Sequence, residues 1–248
     1  MEIDHNKISF WEENDPRENF FKRLFFRKDK SKKKLSTPET IRKVCCGVSF
    51  KETAVKSILF STDLALIENN DCDAVLAVYP FPPSAKIMKA LIDFSEKPVI
   101  CGIGGGLTQG KVALDMAIEA EKLGAAAVIV NQPFKNRDLI KIREAIRIPI
   151  VSSISTLDFD FEERIKAGVD IFHITGGANT GAIIEHITTH YPNHAMIATG
   201  GKTLVNIESV INSGAHAIVL TPPSNADLFK SIMAGYREGF NKIKKKFL

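Results

Sequence analysis

From Val44 onward, short apolar runs alternate with amphipathic runs through eight rounds, and three of the amphipathic runs end on the same glycine device. The repeat keeps a spacing of about 21 to 30 residues, near that of the (β/α)8 fold. These observations predict an α/β protein, a (β/α)8 TIM barrel, with an N-terminal basic, aromatic-containing extension.

The eight expected strands are Val44 to Ser49, Ala74 to Pro80, Val99 to Gly104, Ala126 to Asn131, Ile150 to Ser155, Ile171 to Thr175, Ala195 to Thr199 and Ala217 to Thr221. Each is short and rich in Val, Ile or Ala, the pattern of a strand buried on both faces. Between them lie helical patterns such as Gly110 to Leu123, where Val112, Ala113, Met116, Ala117 and Ala120 recur at helical spacing. Gly124, Gly168 and Gly214 each follow such a run and precede a strand, as left-handed helix caps do. A doubly wound open sheet also fits eight βα units, but the even spacing favours closure.

Of the 248 residues, 44% are hydrophobic and 25% charged, enough apolar material for a full core and too much for a disordered chain. No apolar run reaches the roughly 18 to 20 residues of a membrane span, and the acidic start (Glu2, Asp4, Glu12) is unlike a signal segment. A soluble cytoplasmic protein is expected. Cys45, Cys46, Cys72 and Cys101 lack zinc-ligand spacing, so they are expected as reduced thiols, with no metal and no cofactor.

Residues 22–43 carry ten Lys/Arg against two acids, residues 242–248 add four lysines, and residues 44–241 sum to −4. That balance argues against a barrel surface built for nucleic acid. The expected division is residues 1–43, a capping helix and basic linker, and residues 44–248, the barrel. Phe20 to Arg27, with five large apolar residues among cations, reads as a helix lying over the barrel bottom or as an arm for a nucleic acid, a membrane surface or a partner.

In such a barrel the loops after the strands form the active face. Thr175, Thr199 and Thr221 at the ends of strands six to eight are expected to point inward. Period-two alternation then turns His173, Ile197 and Val219 inward too, and leaves Phe172, Met196 and Leu220 for the helix layer. Asn131, Ser153 and Ser155 belong to the same mouth, with Tyr79 and Lys51 close by. Lys51 and His173 are the candidate catalytic groups, Lys51 as base or substrate clamp and His173 for proton transfer. Each also has a plainer role open to it, a surface lysine and a hydrogen-bonded core histidine. Asp158, Asp160, Asn179 and Glu185 follow strands five and six as candidates for proton transfer or for helix caps.

Ala198-Thr199-Gly200-Gly201-Lys202-Thr203 ends strand seven and opens a helix. Glycines there let backbone amides approach an anion, and the helix start adds unpaired N–H groups. A phosphate cradle is therefore expected at Gly200 and Gly201, with Lys202 adding charge from the rim; a simple tight turn is the other reading. Gly105 to Lys111 matches the opening of a P-loop, but Val112 stands where the magnesium-binding hydroxyl belongs, so these glycines are expected to shape a mouth loop.

The stretch from Ile171 to Ser231, with Thr175-Gly176-Gly177-Ala178-Asn179 after strand six and Ala198 to Lys202 after strand seven, resembles the C-terminal quarter of the ribulose-phosphate-binding barrels. Thiamine phosphate synthase, ketodeoxyphosphogluconate aldolase and N-acylmannosamine-6-phosphate epimerase are similar examples. The resemblance implies phosphate-ester binding, with Gly200 and Gly201 matching the glycines that cradle the phosphate. It departs after strand eight, where Thr221-Pro222-Pro223-Ser224-Asn225 loses two amide donors and Ser224 or Asn225 would have to replace them. A second, weaker resemblance, from Pro98 to Pro133, is to the dihydrodipicolinate synthase and N-acetylneuraminate lyase barrels. Those enzymes use a strand-six lysine, and Ile171 to Thr175 has none.

The expected function is a lyase or isomerase acting on a small phosphorylated sugar or heterocycle. Its ligand would be anchored by Asn131, Ser153, Thr175, Gly176, Gly177, Thr199, Gly200, Gly201, Lys202, Thr221 and Ser224. The alternative is a catalytically silent barrel that senses such a metabolite, as in the similar glycerol-uptake antiterminator family, and engages RNA, anionic lipid or a protein through its basic arm. A small phosphorylated ligand is the expected partner; nucleic acid and a membrane span are not expected, and homo-oligomerisation stays open.

Overall fold

A computed structural model describes residues 7–9, 34–50, 52–201 and 203–244. Eight parallel strands close into a barrel in chain order: β1 (Ser57–Phe60), β2 (Ala74–Ala77), β3 (Val99–Gly104), β4 (Ala127–Val130), β5 (Ile150–Ile154), β6 (Ile171–Ile174), β7 (Ala195–Thr199) and β8 (Ala217–Leu220). Closure runs through β8 and β1, with Ile218 opposite Ser57 and Leu220 opposite Leu59. The helices that follow each strand are α1 (Leu64–Glu68), α2 (Ala85–Phe94), α3 (Gly110–Lys122), α4 (Asn136–Ala145), α5 (Phe161–Lys166), α6 (Thr180–His190), α7 (Leu204–Asn212) and α8 (Asn225–Lys244). The chain is a (β/α)8 barrel, as its apolar periodicity predicts.

Alternation along the strands divides the core in two. Phe172, Ile174, Met196, Ala198, Ile218 and Leu220 pack outward against the helices. Ile58, Leu76, Ile100, Ile129, Val151, Ile197 and Val219 pack together inside the barrel. Burying each large aliphatic or aromatic side chain stabilises the fold by roughly 1.5 to 3 kcal/mol, so a register slip that exchanged the two faces would be costly. Gly124, Gly168 and Gly214 all have positive φ, the left-handed conformation expected of helix-ending glycines.

The first strand departs from expectation. Val44 closes a short helix, Glu39–Val44, and Val48–Phe50 pairs antiparallel with Thr53–Val55 in a hairpin. The barrel instead begins at Ser57–Phe60, which supplies a continuous run for β8 and β2 to flank. Phe50 and Val55 are fully buried against Ala74, Ala126, Ile171 and Ala217 at the N-terminal ends of the strands, so the hairpin plugs the barrel bottom. Gly47, at φ 90°, donates its N–H to the His216 carbonyl and ties the hairpin to the strand above it. Both Val48–Phe50 and the Thr53–Val55 run have the β-branched and aromatic content of strands; they satisfy each other rather than joining the ring.

The short helix crosses the expected boundary at residue 43, and its Ile41 is fully buried. Leu35 forms a bridge to Asn70 in the loop before β2. Phe20 to Arg27 lies outside the described residues, as do residues 28–33 of the basic linker. None of the helices among the described residues is long and apolar enough to cross a membrane.

Candidate functional site

The inner face of the barrel changes character around its mouth. On β5 to β7 the inward positions are Ser153, Ser155, His173, Thr175 and Thr199, while Phe60, Leu76, Val78 and Ile129 come from β1 to β4. A cavity of about 310 Å³ opens between them, with His173 in its wall.

His173 is 6% exposed, and both ring nitrogens are engaged: Nδ1 lies 3.3 Å from the Ser153 hydroxyl and Nε2 lies 3.1 Å from the Thr199 hydroxyl. Strand register explains this strap, because His173 pairs level with Ser153 on β5 and with Ile197 on β7, leaving Thr199 one inward position higher. Burial pushes the imidazole pKa down to about 4, so near neutral pH the ring carries one proton and one lone pair. A neutral imidazole between two hydroxyls accepts a proton at one nitrogen while releasing one at the other.

Beside it, Ser155 donates its N–H and its hydroxyl to Gln132 Oε1, at 2.7 and 2.8 Å. The Gln132 carbonyl accepts from Arg164 Nη2 at 2.6 Å. Arg164 is buried, lies over the Phe159 ring, and has no partner at Nε or Nη1 among the described residues; burial lowers its pKa to about 10. Thus α5, through Arg164, braces the loop after β4 that turns Gln132 into the mouth.

A second cavity, about 540 Å³, lies between the loops after β6 and β7 and shares Thr175 with the first. Thr175, Thr180, Thr199, Asn206 and Ser209 line it, with Gly177 and Gly201 at φ 58° and 75°. Thr180, at the start of α6, is 4% exposed, and its N–H donates to the Gly177 carbonyl in the short 3-10 turn before the helix. Asn179 caps that helix without a side-chain bond. The Thr175 hydroxyl is held by the Ile154 carbonyl at 3.3 Å.

Other candidate residues have structural ties. The Gly200 N–H donates to the Val219 carbonyl at 3.1 Å, and a Cβ there would stand 2.6 Å from Ile218 and 2.9 Å from Ile207. Gly200 is thus required by close core packing, and its amide belongs to the strand ladder. Gly176 is similar, since a Cβ would lie 2.5 Å from Ile183. Ser224 accepts from the Asp227 N–H and donates to its carboxylate, as a helix cap for α8. Thr221 is exposed, and Asn225 bonds to Asp63, which caps α1. Asp160 caps α5 through the Glu163 N–H, and Glu185 is exposed on α6. The Tyr79 hydroxyl accepts from the Ser84 N–H. Lys51 and Lys202 lie outside the described residues; Phe50 and Thr53, flanking Lys51, pair in the hairpin at the end of the barrel opposite the mouth.

The loop after β3 does not form a nucleotide cradle. Asp138 accepts the Gly110 N–H at 3.2 Å, and Lys111 pairs with Asp115 on the surface. The three buried thiols are structural: burial raises Cys72 and Cys101 to about 12 and Cys45 to about 11. The described residues hold no group of three His, Cys, Asp or Glu arranged to ligate a metal.

No family model matches the chain. A 4-hydroxy-tetrahydrodipicolinate synthase of Nitrobacter hamburgensis is 27% identical over an alignment 159 positions long that covers 56% of this chain and 52% of that protein. The chain thus spans about half the length of this curated relative. Among solved structures, a phosphoenolpyruvate phosphomutase from Streptomyces platensis subsp. rosaceus superposes at a TM-score of 0.57 with 14% identity, over 79% of this chain and 85% of its own. A 4-hydroxy-tetrahydrodipicolinate synthase from Methylacidiphilum fumariolicum SolV gives 0.54 with 15% identity, over 67% and 68%. These likenesses establish the barrel. They run to dihydrodipicolinate synthase-like and phosphomutase-like barrels, and they do not support the ribulose-phosphate-binding families.

Proposed function

We propose that the chain is a lyase-type barrel enzyme acting beside the carbonyl of a small phosphorylated metabolite. The reacting carbon sits against His173, and the anionic group occupies the groove between the β6 and β7 loops. The observation that carries this reading is the neutral imidazole strapped between Ser153 and Thr199 in the wall of the mouth cavity. A fold alone names no reaction, so the chemistry rests on these groups.

When a bond next to a carbonyl breaks, an enolate develops, and it needs nearby donors and a route for a proton. The hydroxyl that accepts the His173 N–H keeps its own proton for the developing oxygen, and the hydroxyl that donates to the ring relays the α-carbon proton to His173, which carries it only transiently. Among the described residues lining the two cavities there is no lysine, so none of these supplies the amine for a Schiff base like that of the similar lyases. The anionic group is matched by the hydroxyl-bearing side chains of Thr175, Thr180, Thr199 and Ser209, which line the groove between the two loops. The glycine pair at Gly200 and Gly201 shapes this groove more than it donates to it.

A thermal-shift and calorimetry screen of three-carbon to six-carbon sugar phosphates against their unphosphorylated forms tests the reading. Stabilisation by the phosphorylated forms only, weakened in Thr180→Val, is the expected outcome. Equal responses to both forms would remove the anion seat. Borohydride treatment with pyruvate should trap no covalent adduct; a trapped adduct would restore a lysine mechanism.

A further inference from the structure

A third cavity, about 240 Å³, lies between the loops after β2 and β3 and shares Val78, Ile129 and Asn131 with the cavity at His173. Its side chains are mostly apolar, with Val78, Phe81, Pro82, Pro83, Leu107 and Ile129 prominent among them. Glycines make the room. A bulge between Gly102 and Gly104 shifts the pairing of β3 with β4, and Gly102, Gly104, Gly105 and Gly106 all border the space. A Cβ on Gly102 would come 3.3 Å from Val78 Cγ2, and one on Gly105 would come 2.8 Å from Asn131 Nδ2. Phe81 is 75% exposed and Leu107 fully so, yet both stand on the rim of this space rather than on a plain surface.

We infer that this cavity is a specificity subsite for an apolar arm of the substrate. The ligand is then an amphipathic carbonyl compound: its anionic end lies at Thr180, its carbonyl at His173, and an alkyl or aryl arm runs between Val78 and Gly102. The inference rests on the proposed function for the polar end, and on the shared walls for the continuity of the path. A metabolite that is polar throughout would leave Phe81 and Leu107 in water with nothing to cover them, whereas an arm entering over Ile129 buries them with itself. Asn131, which packs this close to Gly105 only because that residue lacks a Cβ, stands at the junction, where its amide meets the carbonyl end of the arm.

The probes are 2-oxopropylphosphonate and its longer homologues 2-oxohexylphosphonate and 2-oxononylphosphonate, with binding measured by calorimetry on the full chain. Affinity should rise with the arm by up to about fourfold per buried methylene, so the hexyl form should bind roughly tenfold or more tighter than the propyl form. Gly102→Val should keep the propyl affinity and lose that gain. Should Gly102→Val fail to fold, the double variant Phe81→Ser, Leu107→Ser changes only exposed positions and should cut the gain by half or more. Equal binding by all three homologues, or a gain that survives in every one of these variants, overturns the subsite. If 2-oxopropylphosphonate does not bind at all, the polar-end reading fails by itself. The arm is then read with hexan-1-ol: methyl NMR shifts at Val78 and Ile129 in wild type, absent in the variants, sustain the subsite, and unmoved methyls overturn it.

Discussion

The two halves of the barrel mouth are built from the same strand geometry and filled with opposite chemistry. Strands β5 to β7 present Ser153, Ser155, His173, Thr175 and Thr199 inward, whereas β2 to β4 present Val78, Gly102 and Ile129. In the polar half the side chains are bonded to one another, His173 to Ser153 and Thr199, Ser155 to Gln132. In the apolar half the space is left by missing side chains, and its walls have few groups to satisfy. A barrel thus separates a rigid chemical wall from a permissive binding wall by what it places at equivalent inward positions.

The largest expected effect lies in the polar half. The folded His173 pKa, about 4, is below the ordinary value of 6.5, so between these values the unfolded chain binds the extra proton. Stability from this group is therefore constant above pH 6.5 and falls as the pH drops toward 4, by about 3 kcal/mol in all. Urea unfolding of wild type and His173→Gln across pH 7.5 to 4 should show a difference that shrinks on acidification; a difference independent of pH would contradict the buried neutral ring.

Glycines on the two sides should also behave differently. Gly200→Ala forces a Cβ against Ile218 and Ile207 and should destabilise by about 2 kcal/mol, whereas Gly102→Ala faces a contact of 3.3 Å beside open space and should cost less than about 1 kcal/mol. Denaturant midpoints decide this, and equal costs would erase the distinction. Arg164→Met removes a buried guanidinium with two donors unpartnered among the described residues, so its net change should stay within about 1 kcal/mol despite the burial. Its visible effect should be faster amide exchange at Ser155, once Gln132 is no longer braced; unchanged exchange there would break the link. Smallest of all, Phe81→Ser should alter stability by no more than about 0.5 kcal/mol, as measured by thermal unfolding, since its role is on the rim.

Seven of the eight barrel strands were legible because each is an apolar run of the right length bounded by a helix, and β3 and β7 match to the residue. The first was not, because Val44 to Ser49 and Ser57 to Phe60 are equally strand-like, and only the fully buried fit of Phe50 and Val55 under the barrel separates plug from stave. Inward orientation of His173 and Thr199 followed from period two, but the bond between them depends on β6–β7 register, which a single chain does not spell out. Gly200 misled for a physical reason: a glycine for close core packing and a glycine for anion approach look alike until the neighbours are known. Gln132, Thr180 and Arg164 carried no sequence signal, since their importance comes from loops meeting across strands. Gly102 had one, a small residue at an inward position of β3, next to the bulge that the glycine-rich run permits.

The place a ligand takes in this mouth decides most directly whether the polar wall is the reactive one. A crystal soaked with 2-oxopropylphosphonate measures it in one experiment. The phosphonate is expected among Thr175, Thr180 and Thr199, with the carbonyl oxygen or its α-carbon within hydrogen-bonding or van der Waals reach of His173. A phosphonate bound instead at Thr221 and Ser224 beyond β8, or a ligand that leaves His173 without contact, would contradict it.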